Sequence, residues 1–279
     1  MKRTHFLIIM ACLMFVIGLS AAIAGQASAR QTDEQRTYRL VWEDQFNGSK
    51  LDTTHWERID RNIPAWRRYM TTHDKLYRQR GGYLRLYCKR NKNIDPTDTA
   101  TVLTGGIQTQ NHFHFSGYGK MEVRARIHGA QGCWPAIWIT SVKYQNDPDW
   151  AEIDIMEHYN HDNIVVQTAH NNYSTIQNRQ TEKERSFRPS VKAEDWNIYG
   201  VEILPDRLIF SVNGKETYTY HKINDPKVKH QFPYGVESYL RIDMQWNNPW
   251  LKPDINDLPA WMDIDWVRYY TLNQSGKQR

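Results

Sequence analysis

Cysteine is scarce in this chain. There are three in 279 residues, and one of them, Cys12, falls in an apolar N-terminal run. The other two, Cys88 and Cys133, are too few for a disulfide scaffold, and their spacing leaves open whether they meet. Cys88 alternates with Leu84 and Leu86, which reads as a buried thiol. Metal-ligand spacing is missing as well. His112-x-His114 and His158-x-x-His161 have no partner ligands at zinc-site intervals, so they read as polar or substrate-contacting positions. Past the N-terminal run no stretch is long and apolar enough to cross a bilayer, which excludes a polytopic membrane protein. No long helical period occurs outside that run either, which argues against bundles and alternating helix–strand folds. The one short helix candidate is residues 190–196. Neither repeats nor low-complexity linkers interrupt the chain. Charged residues are 24% and hydrophobic ones 40%, which excludes wholesale disorder and allows a sizeable core.

The N-terminal run has the form of a targeting segment. Met1-Lys2-Arg3 is positive, residues 6–24 are almost wholly apolar, and Ala22-Ile23-Ala24 and Ala27-Ser28-Ala29 each fit a small-x-small cleavage site. Residues 1–29 are therefore expected to be a signal peptide of an exported protein, periplasmic, cell-surface or secreted. A membrane anchor is the weaker reading, because no basic stop-transfer cluster follows. Lipid attachment through Cys12 is also weaker, because the apolar run continues beyond it. Lys2 and Arg3 are the only charges in residues 1–29, so cleavage lowers the net charge from +5 to +3. Trp66-Arg67-Arg68 through Arg78 and Arg80 is locally basic. No nucleic-acid motif accompanies it, so nucleic acid is not an expected partner. An acidic or sulfated glycan could use such a patch; a solvated surface is the plainer reading.

What the chain has in plenty is flat aromatic side chains and period-two patterning. It carries 11 Trp and 16 Tyr. Tyr83-Leu84-Arg85-Leu86-Tyr87, residues 120–127 and residues 208–212 alternate apolar with polar, the mark of strands with one buried face. Asn47-Gly48, Gly81-Gly82, Gly105-Gly106 and Asn213-Gly214 are turn signals between such runs. Many short strands and no helices predict an all-β sandwich or barrel. The strands near residues 38–42 and 262–270 could pair, giving one domain over residues 32–271 and a tail over 272–279.

The chemistry concentrates at Trp150-Ala-Glu152-Ile-Asp154-Ile-Met-Glu157. Strands are normally poor in Asp and Glu. Glu152 and Asp154 share a face; a regular strand would send Glu157 to the other one. One extra residue, a β-bulge, would bring it back. Like charges on one face repel unless they have a use. Two carboxylates on one surface meet the needs of retaining glycoside hydrolysis, with one as nucleophile and one as acid/base. A third between them helps to hold the acid's proton. Trp134, Trp138 and Trp150 flank the row in sequence, and indole rings stack on the apolar faces of sugars. Glu152, Asp154 and Glu157 are thus the candidate catalytic residues.

Glu152-Ile-Asp154-Ile-Met-Glu157 resembles the Glu-x-Asp-x-x-Glu signature of glycoside hydrolase family 16 in its bulged, laminarinase-like form. Gly132-x-Trp134-Pro-Ala-Ile-Trp138 is similar to another segment of that family. Residues 41–48, 119–124, 196–202, 212–214 and 262–268 resemble further family segments in the same order. The resemblance implies a jelly-roll of two curved antiparallel sheets with a concave glycan cleft. It implies endo-cleavage of a β-linked polysaccharide with retention, Glu152 as nucleophile, Asp154 as helper and Glu157 as acid/base. It places Trp134 and Trp138 along the cleft and His170 facing the carboxylates; by position, Trp150 beside the acids, Trp250 on a second wall, and Gln245, which departs from the family pattern, are further candidate substrate contacts. No cofactor is required for the chemistry. Some relatives hold a structural calcium, for which Asp265 would be the candidate ligand.

Substrate is where the chain departs from the laminarinase pattern. Tyr239-Leu-Arg-Ile-Asp243-Met-Gln245 differs from the usual segment there, with Asp243 where the family has Asn. This variant is similar to members from gut Bacteroidetes, some of which cut galactans or mucin O-glycans. The expected substrate is therefore β-1,3- or β-1,3/1,4-glucan, with host poly-N-acetyllactosamine or algal galactan as the alternative. A non-catalytic lectin on the same fold is the rival from another class. A transglycosylase would use the same residues. The chain is expected to be a monomer whose partner is its glycan.

Overall fold

The computed structural model describes residues 36–179 and 185–273. The expected signal peptide, Cys12 and residues 274–279 lie outside them. The described residues form β1 (Tyr38–Asp44), β2 (Glu57–Arg58), β3 (Tyr77–Gln79), β4 (Leu84–Arg90), β5 (Val102–Thr104), β6 (Gly106–Gln108), β7 (Gly119–His128) and β8 (Cys133–Ser141). They continue with β9 (Ala151–Glu157), β10 (Val166–Asn171), β11 (Ser186–Phe187), β12 (Asn197–Ile203), β13 (Arg207–Val212), β14 (Lys215–His221), β15 (Ser238–Trp246) and β16 (Ala260–Leu272). No α-helix occurs among them. Residues 190–196 hold a bridge and a turn instead of the helix candidate, Asp195 N donating to Lys192 O.

Two sheets result. One has the order β14-β13-β12-β7-β16-β4-β3, with β1 also on β16 and β5 on β4. The other runs β11-β10-β9-β8-β15-β6-β2. Registers are antiparallel in both, as between β8 and β15 or β7 and β16. This is the two-sheet jelly-roll, and the first and last strands pair as expected. Residues 40–271 form the compact body. Described residues 36–39 and 272–273 belong to a second unit, in which Asn273 N donates to Thr37 O.

Alternation decides which side chains enter the core. On β7, Met121, Val123, Ala125 and Ile127 are buried while Lys120, Glu122, Arg124 and Arg126 are part-exposed. They face Ile137 and Ile139 of β8, Ile153 and Ile155 of β9, and Leu240 and Ile242 of β15 in one cluster. Each such aliphatic side chain contributes roughly 1.5–3 kcal/mol on burial. Cys88 and Cys133 are free thiols in the same core.

Two glycine signals have different causes. Asn213 and Gly214 have φ of 53° and 73° and close the β13–β14 hairpin, with Val212 opposite Lys215. Gly105-Gly106, expected as a turn, carries the chain from one sheet to the other. A Cβ on Gly106 would lie 2.7 Å from the Cβ of Asp243. Close backbone approach, not a left-handed φ, demands glycine there.

Candidate active site

A bulge in β9 sets the face that carries the acids. Across β8, Glu157 lies opposite Ala136, Met156 opposite Ile137, and Asp154 opposite Trp138, with the register shift at Ile137/Trp138. Ile155 is the extra residue. It and Met156 both enter the core, which returns Glu157 to the face that carries Glu152 and Asp154. All three carboxylates line one cleft. The row expected from spacing is present.

Each acid has its own surroundings. Trp134 Nε1 donates to Glu157 Oε1 at 2.7 Å, and Tyr159 OH donates to Oε2 at 3.0 Å. Burial and the neighbouring Asp154 nevertheless push Glu157 up to about 8. Glu152 is part-exposed on the cleft floor. Burial and Asp154 push it above the usual carboxylate range too. Asp154 is 6% exposed and raised by burial and by Asp243. Its Oδ2 lies 3.0 Å from His170 Nε2. Arg185 Nη1 lies 3.3 Å from His170 Nδ1. A guanidinium can only donate, so Nδ1 accepts and Nε2 carries the proton toward Asp154. Burial lowers the His170 pKa, which keeps the ring neutral. Three interacting carboxyls in a low-dielectric cleft cannot all ionise near neutral pH.

The aromatic residues divide into walls and supports. Trp134, Tyr159 and Trp250 form an edge-to-face group with ring separations of 4.8–6.2 Å. Trp250 is 55% exposed, so its ring is open to a ligand. Trp138 is buried, donates Nε1 to Asp243 Oδ2 at 2.8 Å, and has Arg241 across its ring. It supports the floor more than it offers a stacking face. Trp150 is buried beside Glu152. Gln245 lines the cleft with Trp250. One cavity of about 470 Å³ holds all three acids, and a second of about 610 Å³ opens beside Glu152.

Asp265 lies elsewhere, on β16 in the other sheet. Arg124 Nη1 donates to its carboxylate. The Asp265 carboxylate is thus already paired with a cation. Among the described residues, the one cluster of three ligand-type groups is Glu152, Asp154 and His170, which is the acid row itself.

Sequence reasoning passed over several cleft residues. Trp66 stands edge-on to Trp138 at 5.0 Å. Arg241 and Asp243 share the cleft face with Tyr239 and Gln245 through the period of two along β15. That period was readable. The partners of Asp243 were not: it is fully buried, accepts from Trp138, and is raised by burial to about 6. Tyr159 reaches Glu157 from two residues on, while Arg185 acts through a contact with His170 that no local spacing announces.

Residues 67–268 match Glycosyl hydrolases family 16. The chain belongs to that family. Among family 16 relatives, it is 33% identical over 84% of its length to a keratan-sulfate endo-1,4-beta-galactosidase of Sphingobacterium multivorum, and spans 56% of that protein. It is 26% identical to a beta-glucanase of Rhodothermus marinus, covering 97% of this chain and 94% of that one. Its fold is similar to the laminarinase structure from Rhodothermus marinus, with a TM-score of 0.75 and 22% identity. That match covers 86% of this chain and all of the other.

Proposed function

We propose that this family 16 chain is an exported, monomeric, retaining endo-β-glycosidase. The observation that carries the reading is the row Glu152, Asp154, Glu157 with His170, on the floor of an open, aromatic-walled cleft. Glu152, ionised, attacks the anomeric carbon while Glu157 gives its proton to the glycosidic oxygen. Asp154 repels charge on both neighbours, which keeps a proton on Glu157 near neutral pH. His170 holds Asp154 through Nε2–H. Once Glu152 is esterified its charge is gone, repulsion on Glu157 falls, and Glu157 takes the proton from water. A lectin has no need of buried carboxylates held at this cost.

Two substrate classes have support. The higher-identity relative of the two favours β-galactosyl bonds in N-acetyllactosamine-type chains. The full-length likeness to a beta-glucanase favours β-1,3- or mixed-linkage glucan. Reducing-end and product analysis on laminarin, lichenan, keratan, porphyran and mucin O-glycans separates them. Early products are expected to be β-anomers by NMR. Initial α-anomers would overturn retention, and no turnover on any chain would overturn the enzyme reading.

A further inference from the structure

The second cavity, beside Glu152 and away from Glu157, is unusually basic. Arg67, His114, Lys143 and Arg241 line it, and Glu152 is its one acid. His114 is already paired with Glu237 at 2.8 Å and Lys143 with Asp147 at 3.4 Å. The two arginines differ. Arg67 donates Nε to the backbone oxygen of Asp60, and no carboxylate among the described residues pairs with it. Arg241 is 8% exposed. Its Nε donates to Gln108, and its Nη2 to Tyr239 OH and, at 3.4 Å, to Gln110. All three acceptors are neutral. No hydrogen bond among the described residues uses Nη1.

Packing holds this guanidinium in place. Trp66, Trp138 and Tyr239 surround it, with ring centroids 4.6–4.9 Å from its central carbon. A buried cation normally has an acidic hydrogen-bonding partner, because desolvation without one is costly. Asp243 and Glu152 attract Arg241 through space but do not bond to it. Arg67 repels it. Two like charges are thus kept together on a cleft wall with donors to spare. Such an arrangement is stabilised by an anion that enters from the cleft.

We propose that Arg241 and Arg67 form a subsite for a sulfate ester on the glycone part of the substrate. This rests on the endo-glycosidase reading and narrows its substrate class. The cavity touches the nucleophile and not the acid/base, so it takes the sugars that stay on Glu152 when the leaving group departs. A sulfate ester offers three acceptor oxygens in a tetrahedral array, enough for Nη1 of Arg241 and the Arg67 guanidinium together. A carboxylate offers two in one plane.

Calorimetry on the full chain carrying Glu152→Gln tests this with three probes: keratan sulfate oligosaccharides, the same chains after desulfation, and hyaluronan oligosaccharides. The sulfated chain is expected to bind roughly 5–20-fold tighter than the desulfated one at low salt. The gain should shrink toward unity at 0.5 M NaCl and on adding Arg67→Gln. Arg241→Lys, with Tm checked for folding, should lose most of it while keeping the charge. Equal or weaker binding of the sulfated chain, an equal gain for hyaluronan, or a gain that survives both substitutions would overturn the subsite. No binding of either keratan chain overturns it as well. Turnover by the unsubstituted chain on the glycan panel judges the enzyme reading separately.

Discussion

Glu157 carries two hydrogen bonds that favour its charged form, from Trp134 and Tyr159, yet its pKa stands near 8. Burial and Asp154 outweigh both. The pH profile should show it. The basic limb of kcat/KM reports loss of the Glu157 proton, so it should fall well above the usual carboxylate range. Asp154→Asn removes the repelling charge, and that limb should move to lower pH; an unmoved limb would disprove the coupling. Glu152→Gln should cut turnover at least about 1,000-fold with glycan binding retained. Glu157→Ala should spare glycosides with activated nitrophenyl leaving groups far more than natural chains, since a good leaving group needs no proton. Equal loss on both would remove Glu157 from the acid role.

At the scale of an element, β9 shows how one residue of backbone decides where chemistry points. The three acids and their spacing are legible in the chain, and so is the need for a bulge if all three are to act together. The physical reason is simple: side chains alternate with a period of two, and a spacing of three breaks it. Which residue is extra was not legible, because Ile155 and Met156 are equally apolar. Opposing registers identify Ile155. Its deletion should restore regular alternation and keep Glu157 on the cleft face. The variant should retain measurable turnover at a lower Tm, the lost aliphatic group costing about 2–4 kcal/mol. Loss of all turnover by the deletion variant, with its fold retained by thermal melting, would refute the bulge assignment. The β15 strand was only half legible. Its period of two put Asp243 and Gln245 on one face, but the stacking of Arg241 among Trp66, Trp138 and Tyr239 depends on a loop some 175 residues earlier.

At the scale of the molecule, the cleft works against the stability of the fold. Glu152, Asp154 and Glu157 all have pKa values above their ordinary ones, so the native state binds more protons than the unfolded chain between about pH 4 and 8. Stability from these groups is full below their unfolded values and is lost as pH rises through the folded ones. Tm should therefore fall from about pH 5 to 8. Glu157→Gln, an isostere that cannot ionise, should flatten that fall and raise Tm at pH 8 by a few degrees, on the order of 1–3 kcal/mol. A variant that melts like the parent at pH 8 would contradict this.

Period-two patterning, turn residues and the acid row determined by themselves that the chain is all-β, a sandwich or a barrel, with a candidate glycosidase face. Those features are local: a strand's alternation and a carboxylate's spacing are set within a few residues. What only the tertiary structure decided is which groups share a desolvated space. Asp243 beneath Trp138, Trp134 on Glu157, the proton on His170 Nε2 and the two arginines beside Glu152 all join residues far apart in the chain. Their charges and hydrogen bonds matter because packing removes water from between them, and no run of adjacent residues records that removal.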